Sequence, residues 1–185
     1  LMSALPAITG ESEISGDSPE ATIIQAGANP NSAAVSWRVF DVSSGANVTI
    51  SNLTARHGKR GAKSTGDGGG GIRNNGTLLL ENVSVLSNRS QSGSTGTNRF
   101  PGRGGGVYNF GTMTISGCRI ASNSITSSQA SVIPGGGGMA NDGELTIEDS
   151  TIESNSVSTS DGSGASRGGG IYVSAGSLTI RDSTI

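Results

Sequence analysis

Short bursts of alternating apolar and polar residues recur along the chain and line up with one another. Thr77-Leu78-Leu79-Leu80, Thr112-Met113-Thr114-Ile115, Glu144-Leu145-Thr146-Ile147 and Ser177-Leu178-Thr179-Ile180 form one set, with Asn47-Val48-Thr49-Ile50 as a degenerate earlier copy. Apolar residues at period two predict a strand with one buried face. One residue past each burst stands the column Asn52, Asn82, Gly117, Asp149 and Asp182. Asn, Gly and Asp tolerate left-handed backbone angles, so the column predicts a tight turn. A second short strand follows at 53–55, 83–85, 118–120, 150–152 and 183–185, closed in the middle repeats by Asn88, Asn123 and Asn155.

Glycine punctuates the same period. Gly69-Gly70-Gly71-Ile72, Gly104-Gly105-Gly106-Val107, Gly136-Gly137-Gly138-Met139 and Gly168-Gly169-Gly170-Ile171 each start a strand, and the glycines Gly76, Gly111, Gly143 and Gly176 follow at intervals of 35, 32 and 33 residues. Self-similarity at this period marks stacked units, none of which buries a face alone. Three short strands per period, one at the triple glycine and two flanking the left-handed turn, coil so that equivalent strands pair in parallel. The expected fold is therefore all-β, a right-handed parallel β-helix of about four to five coils forming a single domain over residues 1–185. Residues 1–45 make irregular first coils or a cap, and 46–185 the regular repeats. Three columns are expected to fill the core: Val48, Leu78, Met113, Leu145 and Leu178; Ile50, Leu80, Ile115, Ile147 and Ile180; and Val85, Ile120, Ile152 and Ile185. The triple glycines are expected where a side chain would crowd the rung above or below.

Composition narrows the functional classes. The 185 residues include 31 glycines, 3% aromatics and one cysteine, Cys118, with a formal charge of −2, which excludes a disulfide framework and fits a regular glycine-punctuated object better than disorder. No apolar run reaches the length of a membrane-spanning helix, and no secretory leader is recognisable. The chain begins at Leu1 and stops before the Asn that closes the preceding repeats, as expected of a piece of a longer protein.

Residues 38–60, with Arg38-Val39-Phe40-Asp41-Val42, Gly45-Ala46, Val48-Thr49-Ile50-Ser51-Asn52-Leu53-Thr54 and Gly58, resemble the opening of secreted pectin-lyase-like β-helices of the choice-of-anchor Q kind. The later repeats, with Val85-Leu86-Ser87-Asn88, Ile120-Ala121-Ser122-Asn123 and Ile152-Glu153-Ser154-Asn155, are similar to polymorphic outer membrane protein repeats. The resemblance implies a secreted or cell-surface protein. It implies no single activity, because these groups include adhesins, stalks and polysaccharide-active enzymes.

Residues 56–103 carry eight basic side chains, among them Arg56, Lys59, Arg60, Lys63, Arg99 and Arg103, against Asp67 and Glu81, and they include His57, the only histidine. Such a segment either solvates a loop or attracts an anionic glycan. Nucleic acid is not expected, since aromatic residues to stack on bases are almost absent from it. Polysaccharide lyases of this fold hold Ca²⁺ on acidic residues beside a basic one. The nearest acidic sets here are Asp142 with Glu144, and Glu148-Asp149 with Glu153 and Asp182, which the turn column and ion pairs already explain. No metal, cofactor or catalytic residue is assigned. Cys118 is read as a small core residue, and the outward threonines Thr49, Thr114, Thr146 and Thr179 as ordinary strand positions. Of the Asn-X-Ser/Thr sites at Asn47, Asn52, Asn75, Asn82 and Asn88, most are read as coincidental. Three insertions, 89–103, 124–135 and 156–167, are expected to leave one corner as loops, with Arg99-Phe100-Pro101 as the least bland tip.

The leading expectation is an exported, surface-exposed structural or adhesive module without enzymatic activity, touching a cell-surface or extracellular glycan or neighbouring copies of itself. The rival is a polysaccharide lyase or glycoside-active enzyme of pectin-lyase-like fold.

Overall fold

The alternating bursts become strands because each apolar residue can face inward only if its polar neighbours face out. In the computed structural model, which describes residues 1–64, 67–95, 97–128, 132–160 and 165–185, they stack as a parallel β-solenoid of about five turns, all β. A first sheet runs through Phe40–Val42, Ile72–Asn74, Val107–Asn109, Met139–Asn141 and Ile171–Val173. The second contains Glu11–Ser15, Asn47–Arg56, Thr77–Leu86, Thr112–Ser116, Glu144–Glu148 and Ser177–Arg181, in that order. Ile23–Gln25, Arg119–Ala121 and Thr151–Glu153 extend the same sheet past the turn column.

The third sheet corrects the sequence reading. Lys59–Gly61, Arg89–Gln91, Ser124–Ser127 and Ser156–Thr159 pair in parallel, so the three insertions start later than expected. These strands are polar, and their buried positions are few: Ser90, Ile125 and Ser127. Their pattern therefore lacks the apolar alternation that marks the second sheet. Within the first insertion, Asn98–Phe100 folds back on Gly93–Thr95 as an antiparallel hairpin rather than an open loop. The remaining insertion tips at 96, 129–131 and 161–164 lie outside the described residues.

The predicted core columns stack in register: Val48 on Leu78, Leu78 on Met113, Met113 on Leu145 and Leu145 on Leu178. Ile50, Leu80, Ile115 and Ile147 are completely buried, as are Val85 and Ile120. In the last coil Ile180 and Ile185 are exposed. At the other end Glu11–Ser15 pairs with 47–51 and Ile23–Gln25 with 54–56, while Ile8, Ile14, Ile24 and Trp37 pack on the core.

Two left-handed turn columns and two asparagine ladders run along the coil. Asn52, Asn82, Gly117, Asp149 and Asp182 all have positive φ, as the column predicted. A second positive-φ column, His57, Ser87, Ser122 and Ser154, immediately precedes Gly58 and the closing asparagines Asn88, Asn123 and Asn155, and was not expected, because serine rarely adopts it. The following residue secures that turn. Asn88 Nδ2 donates to Ala55 O at 3.1 Å, Asn123 Nδ2 to Val85 O at 2.9 Å and Asn155 Nδ2 to Ile120 O at 2.9 Å. A further ladder joins Asn74 to Asn109 at 2.8 Å and Asn109 to Asn141 at 2.7 Å, all three fully buried.

The triple glycines sit where rungs touch. Gly104 has φ +55, and a Cβ on Gly105 would stand 2.2 Å from the Gly137 carbonyl oxygen of the adjacent rung. No side chain fits there.

Candidate functional site

The outward residues of the first sheet form one register column: Asp41, Arg73, Tyr108, Ala140 and Tyr172. Beside it runs a bridge column, Arg103, Gly135 and Arg167, just ahead of the triple glycines. Neighbouring strands lie about 4.8 Å apart, so the five-residue column extends along the coil axis for about 19 Å and the three-residue bridge column beside it for about 10 Å.

At the first end, five charged groups interlock. Arg38 donates to Asp41 at 2.8 Å and to Asp67 at 3.1 Å, and to the carbonyl oxygens of Gly68 and Gly69. Arg73 grips Asp41 through two nitrogens at 2.8 and 2.9 Å, and Arg60 grips Asp67 at 2.7 and 3.1 Å. Arg38 and Asp67 are buried, at 8% and 4% exposure. Burial lowers the Arg38 pKa from its ordinary value against the pull of Asp41. Burial alone would raise Asp67, yet the hydrogen bonds and charge of Arg60, with Lys63 N and Arg38, hold its carboxyl below the usual range. A cleft of about 200 Å³ opens over the cluster, lined by Leu5, Trp37, Arg38, Asp41, Arg60 and Arg73.

At the other end, Tyr172 occupies the slot that Gly135 leaves between two arginines. A Cβ on Gly135 would lie 2.8 Å from Tyr172 Cδ1. The Arg103 guanidinium carbon is 4.5 Å from the ring centroid and that of Arg167 5.8 Å, within cation–π range. Arg167 Nη1 also donates to the Tyr172 hydroxyl at 3.1 Å. The two guanidiniums lower the Tyr172 pKa from its ordinary value. Next to them Tyr108 donates its hydroxyl to Asp142 at 2.7 Å, and Ser174 Oγ donates to the other Asp142 oxygen. Burial, then Asp142, pushes the Tyr108 phenol up. Phe110 lies against Tyr108, with ring centroids 4.1 Å apart.

The basic segment singled out from sequence does not form one patch. Arg56 donates to Gln25 Oε1 at 2.8 and 2.7 Å, and His57 Nδ1 contacts Gly27 O at 2.9 Å, both at the N-terminal segment. Lys59 is half-buried in the third sheet, and Lys63 N donates to Asp67. Arg99 is exposed and Phe100 half-buried on the hairpin. Arg60 joins the first-sheet cluster and Arg103 the tyrosine slot. Sequence reading missed Tyr108, Arg167 and Tyr172 as partners of that slot. Aligning the residue just before each glycine triplet and the second residue after it would have found them, because it places Arg103, Gly135 and Arg167 in one column and Tyr108, Ala140 and Tyr172 in another.

The acidic sets are otherwise engaged. Glu148 pairs with Arg181 at 2.5 Å and Glu153 with Arg119 at 2.6 Å. Among the described residues no group of three or more His, Cys, Asp or Glu is arranged to hold a metal ion. No helix is long and apolar enough to cross a membrane. Asn88 is 1% exposed and committed to its ladder, which leaves no room for a glycan on it. Cys118 is buried in the column of Val83, Ser150 and Ser183, accepting from Val83 N at 3.3 Å, and burial pushes its thiol up to about 11.

The coil and its ladders define a parallel β-solenoid repeat protein. Comparison with protein-family models, with curated proteins and with solved structures found no match for this chain in any of the three.

Proposed function

We propose that this chain is an exported, surface-exposed structural or adhesive module that performs no chemistry and presents one face of a rigid coil to an extracellular partner. The observation that supports it best is how the carboxylates beside the cleft are used. Asp41 is held by Arg38 and Arg73, and Asp67 by Arg38 and Arg60. A lyase or glycosidase needs a carboxylate free to bind a cation, or to take or give a proton. Carboxylates that each accept from two arginines are poor at either task. The in-register ladders add stiffness, because the middle coils are tied together by side-chain amides, Asn74 to Asn109 to Asn141 and Asn88 to Asn123 to Asn155, as well as by the backbone.

The enzymatic alternative, a pectin-lyase-like polysaccharide lyase, draws on the same cleft, where two carboxylates and three arginines meet. One experiment separates the two readings. The full chain is incubated with acidic and neutral polysaccharides, with and without Ca²⁺, while chain length and unsaturated product are followed. In parallel, the labelled protein is tested for retention on intact cells. Retention without depolymerisation is the expected result. Time-dependent shortening of any polymer overturns the proposal.

A further inference from the structure

Resting on that reading, we propose that the outer face of the first sheet is the contact surface, and that it binds an acidic polysaccharide laid along the coil axis, with an oxyanion of the chain held at Arg103, Tyr172 and Arg167. Carboxylate, sulfate ester and phosphate ester share the required chemistry.

Charge is the first support. Arg38, Arg60, Arg73, Arg103 and Arg167 face three carboxylates, Asp41, Asp67 and Asp142, giving this one face a net of +2 in a chain whose formal net is −2. A cationic stripe on an acidic body attracts a polyanion to that face and not to the others.

Unspent donors are the second. Among the described residues, only three buried side-chain polar atoms have no hydrogen-bond partner, and two of them are N–H donors on this face: Trp37 Nε1 beside the arginine cleft and Arg103 Nη1 at the tyrosine slot. Buried donors without acceptors are costly in a folded protein, and because neither atom reaches the surface as it stands, an oxygen-rich ligand relieves that cost only by drawing the side chain outward to meet it.

Shape is the third. The face is a stripe about 19 Å long, four rung spacings of roughly 4.8 Å, which suits an extended chain better than a small molecule. Its aromatic rings are not platforms for nucleic-acid bases. Tyr172 has guanidiniums against its ring, and Tyr108 is 3% exposed. What faces outward is hydroxyl, guanidinium and carboxylate, the set that pairs with the hydroxyls and acid groups of a sugar chain.

The test measures binding of the full chain to heparin for sulfate, polygalacturonate for carboxylate, a phosphodiester-linked glycan for phosphate, and neutral dextran, poly-glutamate and single-stranded DNA. At least one acidic polysaccharide binds with an affinity that falls as salt rises, and dextran does not. Arg103→Gln and Arg167→Gln each lower that affinity about tenfold, the loss of one charged hydrogen bond, whereas Arg56→Gln leaves it unchanged. Arg167→Gln alone decides if Arg103→Gln fails to fold. In a second readout, saturation with the polyanion raises the pH at which the Tyr172 phenolate absorbs, because an anion beside the two arginines offsets their charge. Equal binding of dextran, equal loss in Arg56→Gln, no response to Arg167→Gln, or stronger binding of poly-glutamate or DNA overturns the proposal. Failure to bind any polysaccharide overturns this site but leaves the non-enzymatic reading standing. Depolymerisation of a bound polymer overturns that reading and leaves the site.

Discussion

The side chain and the backbone of Asn88 share one acceptor on Asn123: Oδ1 of Asn123 receives Nδ2 of Asn88 at 3.1 Å and the backbone N of Asn88 at 2.9 Å. Asn123 then repeats the gesture toward Asn155, at 3.1 and 2.9 Å. Each amide thus closes its own turn and ties down the next, so stability along the coil depends on an unbroken series.

The parallel ladder gives the sharpest stability prediction. Asn109 Nδ2 donates to Asn141 Oδ1, Gly111 O and Glu144 O, and its Oδ1 accepts from Asn74. Asn109→Ala strands several buried groups at about 1–3 kcal/mol each, so a total loss of about 3 kcal/mol or more is expected in urea denaturation. A change within 1 kcal/mol would show that water replaces the amide.

Glycines divide into two groups by what surrounds them. Gly105→Ala drives a methyl into the Gly137 carbonyl and should abolish cooperative folding. Gly61→Ala meets nothing within 4 Å at an ordinary φ, and should be neutral or raise the melting temperature slightly. Thermal melts of the two variants make the comparison.

Acid should loosen the first coils. Asp67 has a folded pKa below its unfolded value of about 3.9, so its contribution is complete above that pH and is lost as pH falls through the lower folded value. Protection from hydrogen exchange, taken relative to the intrinsic rate at each pH, is expected to fall at residues 38–64 and 67–73 below about pH 4. Asp67→Asn should lower stability at neutral pH by about 3 kcal/mol, because Arg38 is left buried beside a neutral amide, and should flatten the acid limb. An unchanged acid limb would assign it to other carboxylates.

Cys118 occupies a column that serine fills in the following coils. Cys118 N donates to Ser150 Oγ at 3.0 Å, and Ser150 N to Ser183 Oγ at 3.0 Å. Cys118→Ser therefore extends an existing hydroxyl ladder and is expected to cost less than about 1 kcal/mol. With its thiol pushed up to about 11 and buried, the native protein should resist thiol reagents at neutral pH and react only on unfolding.

Parts of the molecule were legible in the sequence for reasons that can be named. Leu78, Met113 and Leu145 alternate with polar residues, and the column Asn52, Asn82, Gly117, Asp149 and Asp182 uses residue types that favour left-handed angles. The glycine triplets were likewise placed correctly, against adjacent rungs. The third sheet was hidden because Arg89–Gln91 and Ser156–Thr159 present no apolar alternation. Ser87, Ser122 and Ser154 gave no sign of positive φ, since the asparagine that secures each turn is its neighbour and not the residue itself. Asn74, Asn109 and Asn141 read as spacers because burial of an amide shows only when the rungs above and below supply its partners. Arg103 and Arg167 lie two coils apart, and only stacking over Gly135 brings both to Tyr172.

The parallel ladders that build the coil also set how it yields to force. Hydrogen bonds in all three sheets run from coil to coil, along the axis. Tension applied between the ends of such a coil opens one rung interface at a time, as a zipper does, and the force needed is that of a single interface however many coils are stacked. A tether of this construction lengthens in steps of one repeat under load and shortens again as each rung re-forms on the one below, behaving as a graded spring rather than a rod that breaks.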